Sequence, residues 1–232
     1  MVFSHDIRIW ARSLARRRRF KKRYDVINYF VRKGRYARYL EIGVRSGTCF
    51  KRVQCTEKVG VDPEPETTDP SWHIERMSSD DFFGQNERFF DLVFIDGLHL
   101  AEQALRDLAN SLRFLSEDGV VLLHDCNPLS EQAQSRESSV EQRGGHWNGD
   151  VWKAITYVRK FCPTLFCRVL DLDEGVGVVL PLDPQARSAL NGHESRAREF
   201  FDALSWSDLE ADRKTLLGLI SGRRELENEL RG

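Results

Sequence analysis

The residues most able to do chemistry sit at the ends of apolar runs. Asp96 closes FDLVFID and Asp125 closes GVVLLHD, two runs apolar enough to be buried strands. Both carboxylates therefore belong at the carboxyl edge of a sheet, and they come close together if the strands are neighbours. Two such oxygens suit a hard divalent ion, which makes Asp96 and Asp125 candidate metal ligands; the plainer role is to cap the next helix or turn. His99 follows Asp96 by three residues and opens a helical stretch, so its ring can face the same opening and take a proton from a substrate. His124 directly precedes Asp125. If it still belongs to the strand, it points opposite to Asp125, which assigns it to packing or orientation.

An earlier segment, YLEIGVRSGTCF, reads as a strand ending in Glu41, Ile42 and Gly43, a tight turn containing Gly47, then a helix. Glycines there let backbone approach a ligand closely, and a new helix turns its free N–H groups toward it. A nicotinamide fingerprint needs G-x-G-x-x-G, but Arg45 stands at the middle glycine and no third glycine follows at the right place. Asp62 ends the next run, VGVD, nineteen positions beyond Gly43. A carboxylate there can accept both hydroxyls of a ribose, as nicotinamide and adenosyl cofactors both require.

The order E-I-G-x-x-x-G, V-G-V-D-P, F-D-L-V-F-I-D-G-x-H and G-V-V-L-L-H-D resembles class I S-adenosylmethionine-dependent methyltransferases. It is most similar to the branch with metal-dependent sugar and small-molecule O-methyltransferases. The resemblance runs from Tyr39 to Pro128, and W-N-G-D-V-W-K-A extends it to Ala154. It implies that Glu41, Gly43 and Gly47 cradle the methionine part of the cofactor, that Asp62 holds the ribose, and that Ser79 or Asp80 lies near the adenine. It further implies that Asp96 adjoins the cofactor and binds Mg2+ with Asp125, and that His99 is the catalytic base. Many relatives carry a second acidic residue where this chain has His124. The expected activity is methyl transfer from S-adenosylmethionine to a hydroxyl of a sugar or other small polar acceptor. Two alternatives are a nicotinamide-dependent oxidoreductase on a related fold and a non-catalytic methyltransferase-like binding module.

Positioning these residues requires a sheet built from βαβ units. Short apolar runs alternate with helical stretches from Arg38 onward, predicting an α/β, Rossmann-like, mostly parallel sheet flanked by helices. Ala101 to Leu115 places Ala101, Ala104, Leu105, Leu108, Leu112 and Leu115 on one helical face, with a stop at Ser116 to Gly119. Residues 126–149 are polar and unpatterned, and they leave a central strand at its carboxyl end, so a substrate-facing lid is expected. A helix over 150–161 and a closing antiparallel hairpin, TLFCRVLDL and GVGVVLPL, complete a catalytic domain over 38–183. Residues 184–232 read as a charged helical extension whose default role is packing or oligomer contact.

Residues 1–37 read as a basic helical arm. Residues 1–38 carry about +11 of charge while the whole chain carries −1. Two apolar stripes, Ile7, Trp10 and Leu14 and then Phe20, Tyr24, Ile27 and Val31, predict two helices or one bent one. The arm is expected to pack on the sheet or to contact an anionic surface. With 232 residues, 41% of them hydrophobic and 31% charged, the chain fits one α/β domain with additions and excludes collagen-like and wholly disordered classes. No apolar run approaches the roughly 18 residues of a membrane span. The five cysteines form no C-x-x-C pair, and the first residues offer no apolar signal core, so a reduced, cytoplasmic setting and buried thiols are expected.

Overall fold

The computed structural model describes residues 20–67, 69–137 and 146–231. The stripe of Ile7, Trp10 and Leu14, the run Arg16 to Arg19 and residues 138–145 of the expected lid lie outside the described residues.

Helix α1 (Arg23–Gly34) forms because Val26, Ile27, Phe30 and Val31 repeat at helical spacing. Asp25 accepts the Lys21 and Lys22 N–H groups at 2.9 and 3.1 Å, and left-handed Arg35 (φ 54°) ends the helix. Next come β1 (Arg38–Ile42), β2 (Glu57–Val61), β3 (His73–Glu75) and α2 (Ser79–Gln85). Then follow β4 (Phe90–Ile95), α3 (Ala101–Arg113), β5 (Leu115–Leu123) and α4 (Val151–Phe161). The chain closes with β6 (Leu165–Leu170), β7 (Val176–Pro181), α5 (Glu194–Ala203), α6 (Trp206–Leu217), β8 (Leu219–Ile220) and α7 (Arg223–Glu229).

The strand order is β3-β2-β1-β4-β5-β7-β6-β8. Only β7 is antiparallel to its neighbours β5 and β6, the expected closing hairpin. Alternation along β4 shows why its run is apolar throughout. Val93 and Ile95 face the core under α2 to α6, whereas Leu92 and Phe94 face the core under α1 and α7.

Three elements differ from expectation. No α-helix follows β1; a single 3-10 turn, Phe50–Arg52, takes its place. Helix α1 fills that face instead, and Asn28 fastens the turn by donating to the Arg52 carbonyl at 2.9 Å and accepting the Gln54 N–H at 2.8 Å. The expected stop at Ser116 to Gly119 lies within β5, where the pairing with β4 shifts register between Phe90 and Leu92. Leu219 and Ile220, expected in a helix, form an edge strand because Gly218 (φ 57°) ends α6 in the left-handed conformation. All five cysteines are free and buried, as expected. Among the described residues no helix is long and apolar enough to cross a membrane.

Candidate active site

Strand register builds the site. Ile42, Ile95 and Leu123 end β1, β4 and β5 at one level, and the ladder continues one residue further, with Asp96 N–H donating to Ile42 O at 2.8 Å and His124 N–H to Ile95 O at 2.9 Å. Gly43, Asp96 and His124 therefore emerge side by side. Gly43 is left-handed (φ 84°), and a Cβ there would stand 2.0 Å from the Asp96 carbonyl, so no larger residue fits.

Alternation sends Asp96 and His124 toward the α1 face. Asp125 alone would point away, but it adopts φ 59°, which turns its carboxylate back beside the His124 ring. His124 is thus in the site, contrary to the expectation that it points away from Asp125; the alternation rule fails where the backbone leaves the extended conformation. His124 Nδ1 lies 2.9 Å from Asp125 Oδ2 and 3.2 Å from Asp96 Oδ1, and its Nε2 lies 2.6 Å from the Asp173 carbonyl. Asp96 and Asp125 are brought together as expected. Asp96, His124 and Asp125 form a cluster with the donor spacing of a metal site.

His99 belongs to the same group. Its Nδ1 lies 2.9 Å from the Trp147 carbonyl, and its Nε2 lies 3.1 Å from Asp125 Oδ2 and 3.7 Å from Asp96 Oδ1. The end of the 126–149 segment fixes that placement. Asp150 caps α3 by accepting the Ala101 N–H at 2.8 Å, and Asp150 N–H donates to the His99 carbonyl at 3.2 Å. The Trp147 ring covers His99 at 4.7 Å, and Asn148 donates to Asp125 at 2.5 Å and to Glu174.

Electrostatics tie the cluster together. Burial alone would lower the His124 pKa, but the Asp125 and Asp96 carboxylates outweigh it and raise it to about 10. His99 is raised by the same balance. Burial alone would raise Asp96; His124, His99 and Arg23 hold it well below the usual carboxylate range.

Two cavities meet here. The larger, about 570 Å³, is lined by Val61, Asp62, Ser79, Asp80, Gly97 and Leu98. The second, about 470 Å³, is lined by Arg23, Glu41, Cys49, His124, Asp125 and Glu174. Gly43, Arg45, Glu66, Asp96, His99 and Trp147 line both. Asp62 accepts N–H groups from Arg45 at 2.7 Å and Glu64 at 2.8 Å, which aim its carboxylate into the larger cavity's wall. Glu41 faces the second cavity; burial raises its pKa to about 8, against the Tyr39 hydroxyl that donates to it at 2.5 Å. Gly47 instead makes room for the Trp72 ring, which a Cβ would approach to 2.1 Å. No α-helix follows Gly47 among the described residues, only the 3-10 turn Phe50–Arg52.

Sequence reasoning missed Arg23, Asp173, Glu174 and Trp147. Arg23, first residue of α1, sets its guanidinium 2.6 Å from His124 Nε2 and 3.7 Å from Asp96 Oδ2, so the basic arm enters the site. Its N–H and the Lys22 ammonium both bind Asp173, at 2.9 and 2.7 Å. Consecutive positive φ at Asp173 (46°), Glu174 (66°) and Gly175 (89°) folds the β6–β7 turn inward. Its composition signals a turn but not this direction.

Residues 9–126, just over half of the sequence, match a methyltransferase domain family. The chain belongs to that family. No curated protein sequence matches it significantly. Among solved structures, the S-adenosylhomocysteine-bound methyltransferase PaMTH1 of Podospora anserina is similar with a TM-score of 0.53 and 18% identity, over 69% of this chain and 78% of that one. A Staphylococcus aureus structure provisionally described as a caffeoyl-CoA O-methyltransferase gives 0.52 and 16%, over 68% and 82%. At such identities the likeness is one of fold: the methyltransferase is built on the α/β, Rossmann-like sheet expected from its sequence.

Proposed function

We propose that this methyltransferase moves the methyl group of S-adenosylmethionine to a hydroxyl oxygen of a small polar acceptor such as a sugar. The observation that carries the reading is the junction at Gly43, Asp96, His99 and Trp147, where a cavity lined by the Asp62 carboxylate meets one lined by carboxylates and imidazoles. A volume near 570 Å³ is in the range of small-molecule sites.

Bound S-adenosylmethionine supplies an already activated methyl on its sulfonium sulfur. The protein's tasks are to align the acceptor oxygen and to take its proton. Neutral His99, with Nδ1–H held by the Trp147 carbonyl, offers Nε2 as the proton acceptor. Asp125 and Asp96 then stabilise the imidazolium. Because they raise the His99 pKa, the base form dominates on the alkaline side of an ordinary histidine.

A divalent cation fits Asp96, His124 and Asp125. Their separations of 2.9 and 3.2 Å approach the ~3 Å between adjacent ligands of an octahedral ion with ~2.1 Å bonds. The imidazole donor suits Mn2+ as well as the expected Mg2+. Such an ion would lower the pKa of the acceptor hydroxyl.

Calorimetry with S-adenosylhomocysteine tests the cofactor. The wild type binds, and Asp62→Ala weakens binding by about 1.5 to 3 kcal/mol through lost charge-assisted hydrogen bonds. No heat with either adenosyl compound overturns the reading. With an acceptor in hand, His99→Ala lowers turnover about a hundredfold or more while cofactor binding survives. Full turnover in chelator removes the metal and leaves His99; unchanged turnover in His99→Ala returns that residue to a structural role.

A further inference from the structure

A cleft between α1 and α7 shares no lining residue with the two cavities of the active site. It encloses about 350 Å³ and is lined by Tyr29, Arg32 and Lys33 of α1, by Arg223 and Glu227 of α7, and by Arg231 just beyond α7. Arg32 follows Arg23 by nine residues on the same helix, roughly 13 Å along its axis, so the cleft lies away from the methyl-transfer chemistry. Four cations meet one carboxylate there, a lining of net charge +3.

That carboxylate is already engaged. Glu227 accepts from Arg223 Nε at 2.8 Å, and the Tyr29 hydroxyl donates to it as well. The Arg223 guanidinium lies over the Tyr29 ring, 4.7 Å from its centroid, and that ring is buried. With a ring beneath it and Glu227 on its ε edge, Arg223 keeps its η nitrogens for another acceptor. Among the described residues Arg32, Lys33 and Arg231 make no ion pair, and Arg32 donates to the neutral Gln54 amide oxygen at 3.2 Å. The helix dipole accounts for Arg32 and Lys33, which stand in the last turn of α1. It does not account for Arg223, which opens α7, the end where a cation is disfavoured.

A recess of this charge is matched by an anion that concentrates at least two charges and offers oxygens on several sides. A carboxylate brings one charge and two oxygens in a plane. A phosphate ester or a diphosphate brings the charge, and its oxygens suit guanidinium forks. A lipid surface fits less well, since none of the exposed large hydrophobic residues, Phe89, Leu98, Leu129 and Leu182, lines the cleft.

We propose that this cleft is a binding site for a phosphomonoester or diphosphate group, held by Arg32, Lys33, Arg223 and Arg231 and separate from the methyl-transfer site.

The probe is inorganic pyrophosphate, titrated into the full chain by calorimetry at constant ionic strength. The wild type should bind one equivalent. Arg223→Gln should weaken binding by about tenfold or more, the scale of a lost charge-assisted hydrogen bond. Arg231→Gln changes an exposed residue and leaves the Arg223–Glu227 pair in place. It should weaken binding about threefold, and it covers the case in which the Arg223 variant does not fold. Arg224→Gln removes the same charge from the next position of α7, exposed and outside the cleft, and should leave the affinity unchanged. Absence of binding, wild-type affinity in both cleft variants, or equal weakening by all three substitutions overturns the site; the last of these would mean general attraction of anions to a basic surface. Two further arms identify the bearer of the group. A 5′-phosphorylated oligonucleotide that binds about tenfold more tightly than its unphosphorylated form supports a phosphate at a polymer end, whereas pyrophosphate binding without that difference supports a small free ligand.

Discussion

Glu41 shows how far a position can alter a residue's chemistry. Its carboxyl is 1% exposed below the second cavity, and burial lifts its pKa to about 8 from an unfolded value near 4.5. The folded state thus holds the proton more tightly than the unfolded state. Its contribution is fully present below pH ~4.5 and is lost as pH rises to about 8, above which the penalty is constant. Glu41→Gln should keep the Tyr39 contact, flatten the stability profile between those limits and gain roughly a few kcal/mol at alkaline pH. Urea denaturation of both proteins from pH 5 to 9 checks this; parallel profiles would mean that Glu41 ionises normally. Residues of this kind divide by legibility. Asp96 and Asp125 could be read to the sheet's carboxyl edge because strand ends are placed by a local rule, and His99 lies close behind Asp96 in sequence, although the Asp125 backbone and the Trp147–Asp150 segment set the final directions of their side chains. His124 was misread because Asp125 is left-handed, and no composition signal announces that at an aspartate. Arg23 is brought in by tertiary packing alone.

Elements were more legible than their junctions. The runs that became β4 and β5 were legible because burial on both faces leaves little choice of residue where they adjoin, and α3 followed its stripe. The helix after β1 did not form, since α1 already covers that face of the sheet, a fact no local window contains. The return of the 126–149 segment depends on one backbone position. Gly149 is left-handed (φ 57°), and a Cβ there would stand 1.7 Å from the His99 carbonyl; Gly192 is also left-handed (φ 73°), with nothing within 4 Å. Gly192→Ala should cost only the conformational penalty, about 1 to 2 kcal/mol. Gly149→Ala must in addition displace the His99–Asp150 contact, and should lose at least ~2 kcal/mol more. Denaturant midpoints of the pair separate the two contributions. Equal losses would show that His99 is not held by this close approach.

At the scale of the whole molecule, charge and topology are arranged separately. The cavities open where β1 and β4 adjoin and the chain's direction of progress through the sheet reverses, the place where open α/β sheets take ligands. Positive charge is concentrated in the first 38 residues, about +11 against about −12 for the remainder. Arg23 spends its charge inside the site, near Asp96, Asp173 and His124. Lys22 is paired with Asp173 as well. The arginines 16 to 19 precede these residues in sequence, and nothing in the chemistry of methyl transfer calls for four further cations. Replacing all four by glutamine should therefore leave S-adenosylhomocysteine affinity unchanged. Binding to an anionic polymer such as heparin should weaken, and its dependence on salt should become shallower, because fewer counterions are released on contact. Calorimetry and salt-titrated binding on the same preparation measure both quantities. Loss of cofactor affinity with the fold intact would make residues 16 to 19 part of the site, extending inward the role Arg23 already has; an unchanged salt slope would assign anionic contact to other cations of the chain.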